Sequence, residues 1–200
     1  MLIKYIICFM VLLFLFNSCN ENPTQPVSAE QFYPLKVGNK WYYKYYHTNG
    51  DTIKYDYSDS EYELYREVIG VKKINGKNYS IMESKNSNPL LVNHSDTTYL
   101  RTDRYKLYFA YKDATTNQYI ERMFADFSLE KADTFHIVKD AYEWVVTVKE
   151  KTTNIIKFHY EIPNAADEEY EETYVKNVGL KSSYSTDWHM GIMLVNYELK

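Results

Sequence analysis

Apolar and polar side chains alternate with a period of two along most of the chain after residue 30. In residues 156–162, isoleucine, phenylalanine and tyrosine occupy every second position, and lysine, histidine and glutamate lie between them. Residues 142–149 and 191–199 follow a similar pattern. Such alternation is typical of a strand with one buried and one solvent-facing side, so these segments predict half-buried β-strands.

Turn-forming residues separate the alternating segments. Asn49-Gly50-Asp51 and Asn75-Gly76 predict tight hairpins, because asparagine and glycine tolerate the positive φ that type I′ turns require. With weaker breaks between other segments, the sequence predicts a single all-β antiparallel domain of roughly ten to twelve strands at residues 31–200. One short helix or turn is expected near residues 29–33. Alternation alone does not distinguish a barrel from a half-barrel or a sandwich.

The N-terminus has the pattern of an export signal. Lys4 precedes the eleven-residue apolar run 6–16, which is followed by polar residues. A transmembrane helix needs about 20 apolar residues, so a run of this length is typical of a signal peptide. Residues 1–18 are therefore predicted to be removed.

Ser18-Cys19 follows the apolar run directly and resembles the lipobox of bacterial lipoproteins. The resemblance implies cleavage after Ser18, a diacylglycerol on the Cys19 thiol, and a palmitate-like acyl chain on the new amino group. Two or three chains hold a protein firmly to a membrane. Residues 19–30, which are polar and contain two prolines, are expected to act as a tether. The alternative is a plain secretory signal that leaves Cys19 as a free thiol.

The net charge and the cysteine content limit which partners and which cellular compartment are expected. Loss of Lys4 reduces the 23 basic residues to 22 against 27 acidic ones, a formal charge of −5. Because basic residues are interleaved with acidic ones, no nucleic-acid partner is expected. With Cys19 acylated, the mature chain can form no disulfide. The predicted location is the bacterial cell envelope, anchored in the outer membrane, with the periplasmic or surface orientation left open.

Four sequence blocks then give a family resemblance. Residues 34–41 (PLKVGNKW), 75–79 (NGKNY), 126–134 (DFSLEKADT) and 177–180 (NVGL) resemble a group of uncharacterised Bacteroidota lipoproteins that carry similar blocks in the same order. The resemblance implies a β-rich lipoprotein and carries over no catalytic residue. Ala132 stands where the related proteins usually have glycine, so the turn there is expected to differ.

No motif for catalysis, a metal or a cofactor is present. The chain has no nucleophile elbow, zinc-protease motif, P-loop or dinucleotide fingerprint. Its five histidines lack metal-ligand spacing, and the acidic run 167–172 lacks the glycine and spaced ligands of a calcium loop. That run is expected to form a solvated hairpin tip. The predictions are that the protein is not an enzyme and uses no cofactor or metal.

The run Trp41–Tyr46, WYYKYY, contains the candidate ligand-binding residues. Strand geometry places Trp41, Tyr43 and Tyr45 on one face, where core packing accounts for them. Tyr42, Lys44 and Tyr46 on the other face are the speculative ligand-binding residues, although a plain sheet face also explains them.

The expected function is that of a non-enzymatic binding or structural accessory module of the envelope, whose protein or glycan partner is unknown. Two alternatives are a carrier that encloses a lipid or other apolar ligand and a carbohydrate-binding surface lipoprotein. A carrier requires an apolar cavity of several hundred Å³, and a filled core excludes it.

Overall fold

The alternating segments form thirteen β-strands that hydrogen-bond side by side in one antiparallel sheet. The computed structural model describes residues 28–49, 52–55, 63–86, 95–139, 142–165 and 168–200. The described elements are, in chain order, helix α1 (Ala29–Phe32) and strands β1 (Lys40–Asn49), β2 (Thr52–Tyr55), β3 (Leu64–Ile74), β4 (Lys77–Asn86), β5 (Ser95–Asp103), β6 (Lys106–Lys112), β7 (Tyr119–Asp126), β8 (Thr134–Lys139), β9 (Tyr142–Lys151), β10 (Ile155–Glu161), β11 (Tyr170–Val175), β12 (Gly179–Ser185) and β13 (Met190–Glu198).

The strand order shows how the sheet curls. It runs β7-β6-β5-β4-β3-β1-β13-β12-β11-β10-β9-β8, with β2 paired to β1 alone. The two end strands, β7 and β8, are consecutive in the chain. Across the interior, Phe124 on β7 stacks on Tyr160 of β10 with ring centroids 5.3 Å apart. The sheet is therefore nearly closed and barrel-shaped, which confirms the predicted antiparallel all-β class and adds one strand to the predicted range.

The interior face of the sheet carries the hydrophobic core. One cluster of buried side chains joins strands from every part of the sheet, and its fully buried members on the strands include Trp41, Tyr43, Val68, Ala125, Val146, Ile156, Phe158 and Tyr160. Aromatic rings meet edge to face within this core, as Phe127 does with Phe158 and Tyr174. Large aromatic side chains on the nearly closed sheet thus supply much of the buried core of the described residues.

Helix α1 covers one end of the barrel-shaped sheet. Phe32 stacks on Phe127 with centroids 5.1 Å apart, and Tyr33 stacks on Trp41 at 5.8 Å. Ala29 is fully buried, and its N–H donates to the carbonyl of Arg104. Helix α1 is therefore packed as part of the folded sheet domain. Within the described residues, no helix has the length and apolarity needed to span a membrane.

Backbone conformation follows the turn residues. Asn75 (φ 48°) and Gly76 (φ 82°) join β3 to β4 by the predicted two-residue hairpin turn. Ala132 also has a positive φ, 75°, and its N–H donates to the carbonyl of Val148. The turn before β8 thus keeps the left-handed conformation that glycine adopts easily, but builds it with an alanine that is strained there.

Replacement of Ala132 by glycine is expected to stabilise the protein. The left-handed conformation costs a residue with a Cβ about 1 to 2 kcal/mol, part of which is offset by the greater freedom of glycine in the unfolded chain. We expect A132G to raise the free energy of unfolding by about 0.5 to 1 kcal/mol, measured by urea denaturation. Ala114, which has no positive φ, is the control. An equal gain in A114G, or a loss in A132G, would contradict this account.

Candidate functional site

A cavity lies inside the barrel-shaped sheet between α1 and the opposite end of the strands. Its volume is about 480 Å³. Apolar and aromatic side chains from six strands form most of the wall, namely Met82, Leu100, Leu107, Phe109, Phe124, Tyr174 and Leu180. Tyr33, next to α1, forms the inner end. Both the size and the apolar wall are those of a small-molecule site.

Polar side chains line the other end of the cavity. Ser84 lies near the end of β4, and Asp96 and Thr98 lie near the start of β5. Asp96 is exposed and Thr98 is half-buried. These strand ends lie far from α1, which contacts the chain just after β5 through Arg104. The cavity therefore reaches the surface beside Asp96, at the end that α1 does not cover.

Arg66 places a guanidinium in this interior. It lies on β3 opposite Trp41 of β1 and Ser84 of β4, on the same face as the core residues Leu64 and Val68. Its Cζ lies 5.4 Å from the centre of the Tyr43 ring. The Nε atom is buried and has no hydrogen-bond partner. An unpaired buried donor costs free energy. Arg66 also lines the cavity wall, so its charge faces any ligand that binds there.

The surroundings of Arg66 keep it charged. Burial opposes the charged form, but the neighbouring hydroxyls of Tyr33 and Tyr43 and the carboxylate of Glu172 together raise the pKa of Arg66. Conversely, burial raises the pKa of Tyr33 and Tyr43, and the guanidinium of Arg66 partly opposes that rise. The interior therefore contains a permanent positive charge among neutral tyrosines.

Glu172 is the second charged group of the cavity wall. Its Oε2 accepts a hydrogen bond from the hydroxyl of Tyr174 at 2.5 Å. Burial raises the pKa of Tyr174 and Tyr160 strongly, and the negative charge of Glu172 adds to the effect. The residue is only 8% exposed, so the prediction of a solvated hairpin tip is wrong for Glu172. Strand β11 begins two residues earlier, at Tyr170, and turns this carboxylate inward.

Both charged residues escaped detection in the sequence, although a signal for them exists. Arg66 is in phase with Leu64 and Val68, and Glu172 is in phase with Tyr170 and Tyr174, so each occupies an inward position of an alternating strand. A charged residue at a position that the alternation assigns to the buried face of a strand predicts a charged group in the interior.

The ligand-binding residues predicted from the sequence, Tyr42, Lys44 and Tyr46, do not line this cavity. Cys19 is outside the described residues. Trp41 and Tyr43 are buried as predicted, and Tyr45 is half-buried against the core. Tyr42 and Lys44 are half-buried, and the Tyr42 hydroxyl donates to Glu198 Oε1 at 2.8 Å.

Tyr46 differs from its expected place on a solvent-facing surface. It is 5% exposed because its ring stacks on that of Tyr184 at 5.8 Å. Its neighbour across the strand is Gly191, where a Cβ would lie 3.1 Å from the Tyr46 ring. Tyr42, Lys44 and Tyr46 therefore do not form an open aromatic platform.

Comparisons with known proteins give few relatives. No family model matches the chain, and no curated protein matches it. A solved structure described as a "putative exported protein with YmcC-like fold" from Bacteroides fragilis is similar over 84% of this chain and 99% of its own, with 14% identity and a TM-score of 0.48. A "putative lipoprotein" from Parabacteroides distasonis covers 84% and 98%, with 12% identity and a TM-score of 0.41.

Arg66 and Glu172 are expected to stabilise the fold as a coupled pair. Removal of one buried charge leaves the other without its counter-charge, so Arg66→Met alone should cost about 3 to 5 kcal/mol. In a double-mutant cycle with Glu172→Gln, measured by urea unfolding, we expect a coupling energy of about 1 to 3 kcal/mol.

The matched control is the surface pair Lys40 and Glu198, whose charged atoms lie 3.9 Å apart. The cycle of Lys40→Met with Glu198→Gln should give a coupling energy below about 1 kcal/mol. Additive effects of the Arg66 and Glu172 substitutions would show that the two charges act independently.

Proposed function

We propose that this protein is a lipid-anchored, non-enzymatic envelope protein whose barrel-shaped sheet binds an apolar ligand with an anionic group. The observation that carries the proposal is the interior cavity of about 480 Å³, whose wall includes the charged residue Arg66. Among the functions that the sequence leaves open, this cavity favours the carrier.

The wall of the cavity supports an apolar ligand body. A site that binds a small molecule has a volume of roughly 300 to 1,000 Å³ and mostly apolar walls with a few placed polar groups. The cavity of this protein has that volume and that distribution of side chains. A ligand with a short alkyl chain would contact Met82, Leu100 and Phe109.

The charges in the cavity favour an anionic group on the ligand. Glu172 already accepts a hydrogen bond from Tyr174, whereas the Nε–H of Arg66 has no acceptor. A guanidinium binds a carboxylate or phosphate with charge-assisted hydrogen bonds, which are about twice as strong as neutral ones. A carboxylate on the ligand would accept such hydrogen bonds from the guanidinium of Arg66.

The lipid anchor supports a role at the membrane. Cys19 and the tether would hold the domain within reach of the lipid surface, where amphipathic molecules are found. A carbohydrate-binding face at Tyr42, Lys44 and Tyr46 has less support, since Tyr46 is covered by Tyr184. An outer-membrane location is part of the proposal.

Ligand binding is tested with dodecanoate and dodecanol, which share an alkyl chain and differ in charge. We expect the protein to bind dodecanoate at least ten times more tightly in calorimetric titrations, and Arg66→Met to remove this preference. Thr98→Trp, which fills the cavity, should abolish binding of both compounds.

Thr97 provides the matched control for the cavity variant. It is exposed and lies on the opposite face of β5 from Thr98, so Thr97→Trp should leave both affinities unchanged. Equal binding in the Thr98→Trp and Thr97→Trp variants would place the ligand outside the cavity and refute the carrier function.

The anchor is tested at the two cysteines of the chain. Cys19→Ser should remove the acyl mass from the purified protein and shift it from the membrane to the soluble fraction, because the thiol that carries the diacylglycerol is lost. Cys8→Ser is the control, since Cys8 lies within the predicted signal peptide and is absent from the mature chain. Unchanged mass and fractionation in Cys19→Ser would refute the anchor.

A further inference from the structure

Four polar side chains meet on the outer face of the β10–β11 hairpin. His159 and Glu161 are two residues apart on β10 and share a face of the sheet. His159 is paired with Glu171 of β11, and Glu169, two residues before Glu171, continues that face. The fold thus brings together a histidine and three carboxylates that the sequence spacing does not mark as a site.

The ligand atoms of three of these residues converge. His159 Nε2 lies 3.5 Å from Glu161 Oε2 and 3.7 Å from Glu169 Oε2. One ligand atom from each of the three residues lies within 4.8 Å of the others. Two ligands bound to one zinc ion at 2.0 to 2.1 Å in tetrahedral geometry are about 3.4 Å apart. The observed separations are within a few tenths of an ångström of that distance on the histidine side.

Hydrogen bonding within the cluster does not account for this arrangement. The separations of 3.5 and 3.7 Å exceed the 2.7 to 3.2 Å of an N–H···O bond. An Nε2–H shared between the two carboxylates that flank it would form only a weak bifurcated bond at these distances. His159 is 8% exposed, and its Nδ1 is buried without a hydrogen-bond partner. A cation shared by Nε2 and both carboxylates would satisfy all three groups.

We propose that His159, Glu161 and Glu169 bind a divalent transition-metal ion of the zinc type. Imidazole with carboxylates is a ligand set for such ions, whereas calcium takes oxygen ligands alone. The side chains of Glu161 and Glu169 are 41% and 44% exposed, so an ion can enter from solvent.

Two neighbouring contacts position these ligands. Glu171 Oε1 lies 4.0 Å from His159 Nδ1 and forms an ion pair with Lys157. A small rotation would let Nδ1–H donate to Glu171, which is the usual arrangement behind a metal-bound histidine. The N–H of Glu169 donates to Asp187 Oδ2 at 2.9 Å, which fixes the backbone from which the third ligand extends.

The site is tested with zinc ions and the full chain, purified in detergent without an affinity tag. We expect one zinc ion per chain in calorimetric titrations. Glu161→Gln with Glu169→Gln should weaken zinc binding at least tenfold, and so should His159→Gln. Glu171→Gln should weaken it by about 10- to 100-fold through the orientation of His159. Substituted cobalt(II) should show the absorption of a nitrogen- and oxygen-ligated ion, which the double glutamine variant loses.

His136 and Glu143 provide the matched control, because they form an exposed pair at 3.0 Å on the β8–β9 hairpin. His136→Asn with Glu143→Gln should leave zinc affinity unchanged, and calcium should bind at least 100 times more weakly than zinc. The proposal is overturned if zinc does not bind, if the Glu161 and Glu169 substitutions leave its affinity unchanged, or if calcium binds equally well. Because Glu161 and Glu169 are partly exposed, we expect their glutamine variants to remain folded. Circular dichroism of these variants checks that the β-sheet is intact.

Discussion

The central constraint on this structure is the presence of two charges, Arg66 and Glu172, inside a nearly closed sheet. A charge inside a protein is tolerated only where polar groups and an opposite charge surround it. Here tyrosine hydroxyls supply the polar groups, since Tyr33 and Tyr43 lie beside Arg66 and Tyr174 donates to Glu172. Tyrosine suits this interior because its ring packs in the core while its hydroxyl lies beside a charged group or donates a hydrogen bond to it.

The cavity lies beside these two charges, because Arg66 and Glu172 are both part of its wall. The apolar rings pack densely against α1 and the β9–β10 strands, whereas the region near Arg66 keeps about 480 Å³ between its apolar wall and the charged groups. The guanidinium Nε of Arg66 is buried without an acceptor, at a cost of roughly 1 to 3 kcal/mol. The proposed amphipathic ligand would place its anionic group beside this guanidinium. The proposed metal-binding residues around His159 lie on the outer face of the sheet, so the two proposals depend on different side chains.

The sequence predicts the strands well and the site poorly, for physical reasons. Alternation identifies which residues of β9 and β10 face inward, and Asn75-Gly76 defines a hairpin, because these are local properties. Closure of the sheet depends on long-range pairing, as between β1 and β13, which no local pattern reports. Tyr46 is buried by a residue 138 positions away in the chain, Tyr184, and His159 meets Glu169 only when β10 and β11 pair. Arg66 and Glu172 were detectable in principle from their phase, but their joint position depends on the curvature of the sheet.

The most direct test of the account is a crystal structure of the protein purified from the envelope of its native host. We predict electron density for a bound molecule between Phe109 and Arg66, with an acceptor group within 3.2 Å of a nitrogen atom of the Arg66 guanidinium, the upper end of an N–H···O bond. A cavity filled by the side chains of the protein itself, with Arg66 Nε bonded to one of them, would contradict the account.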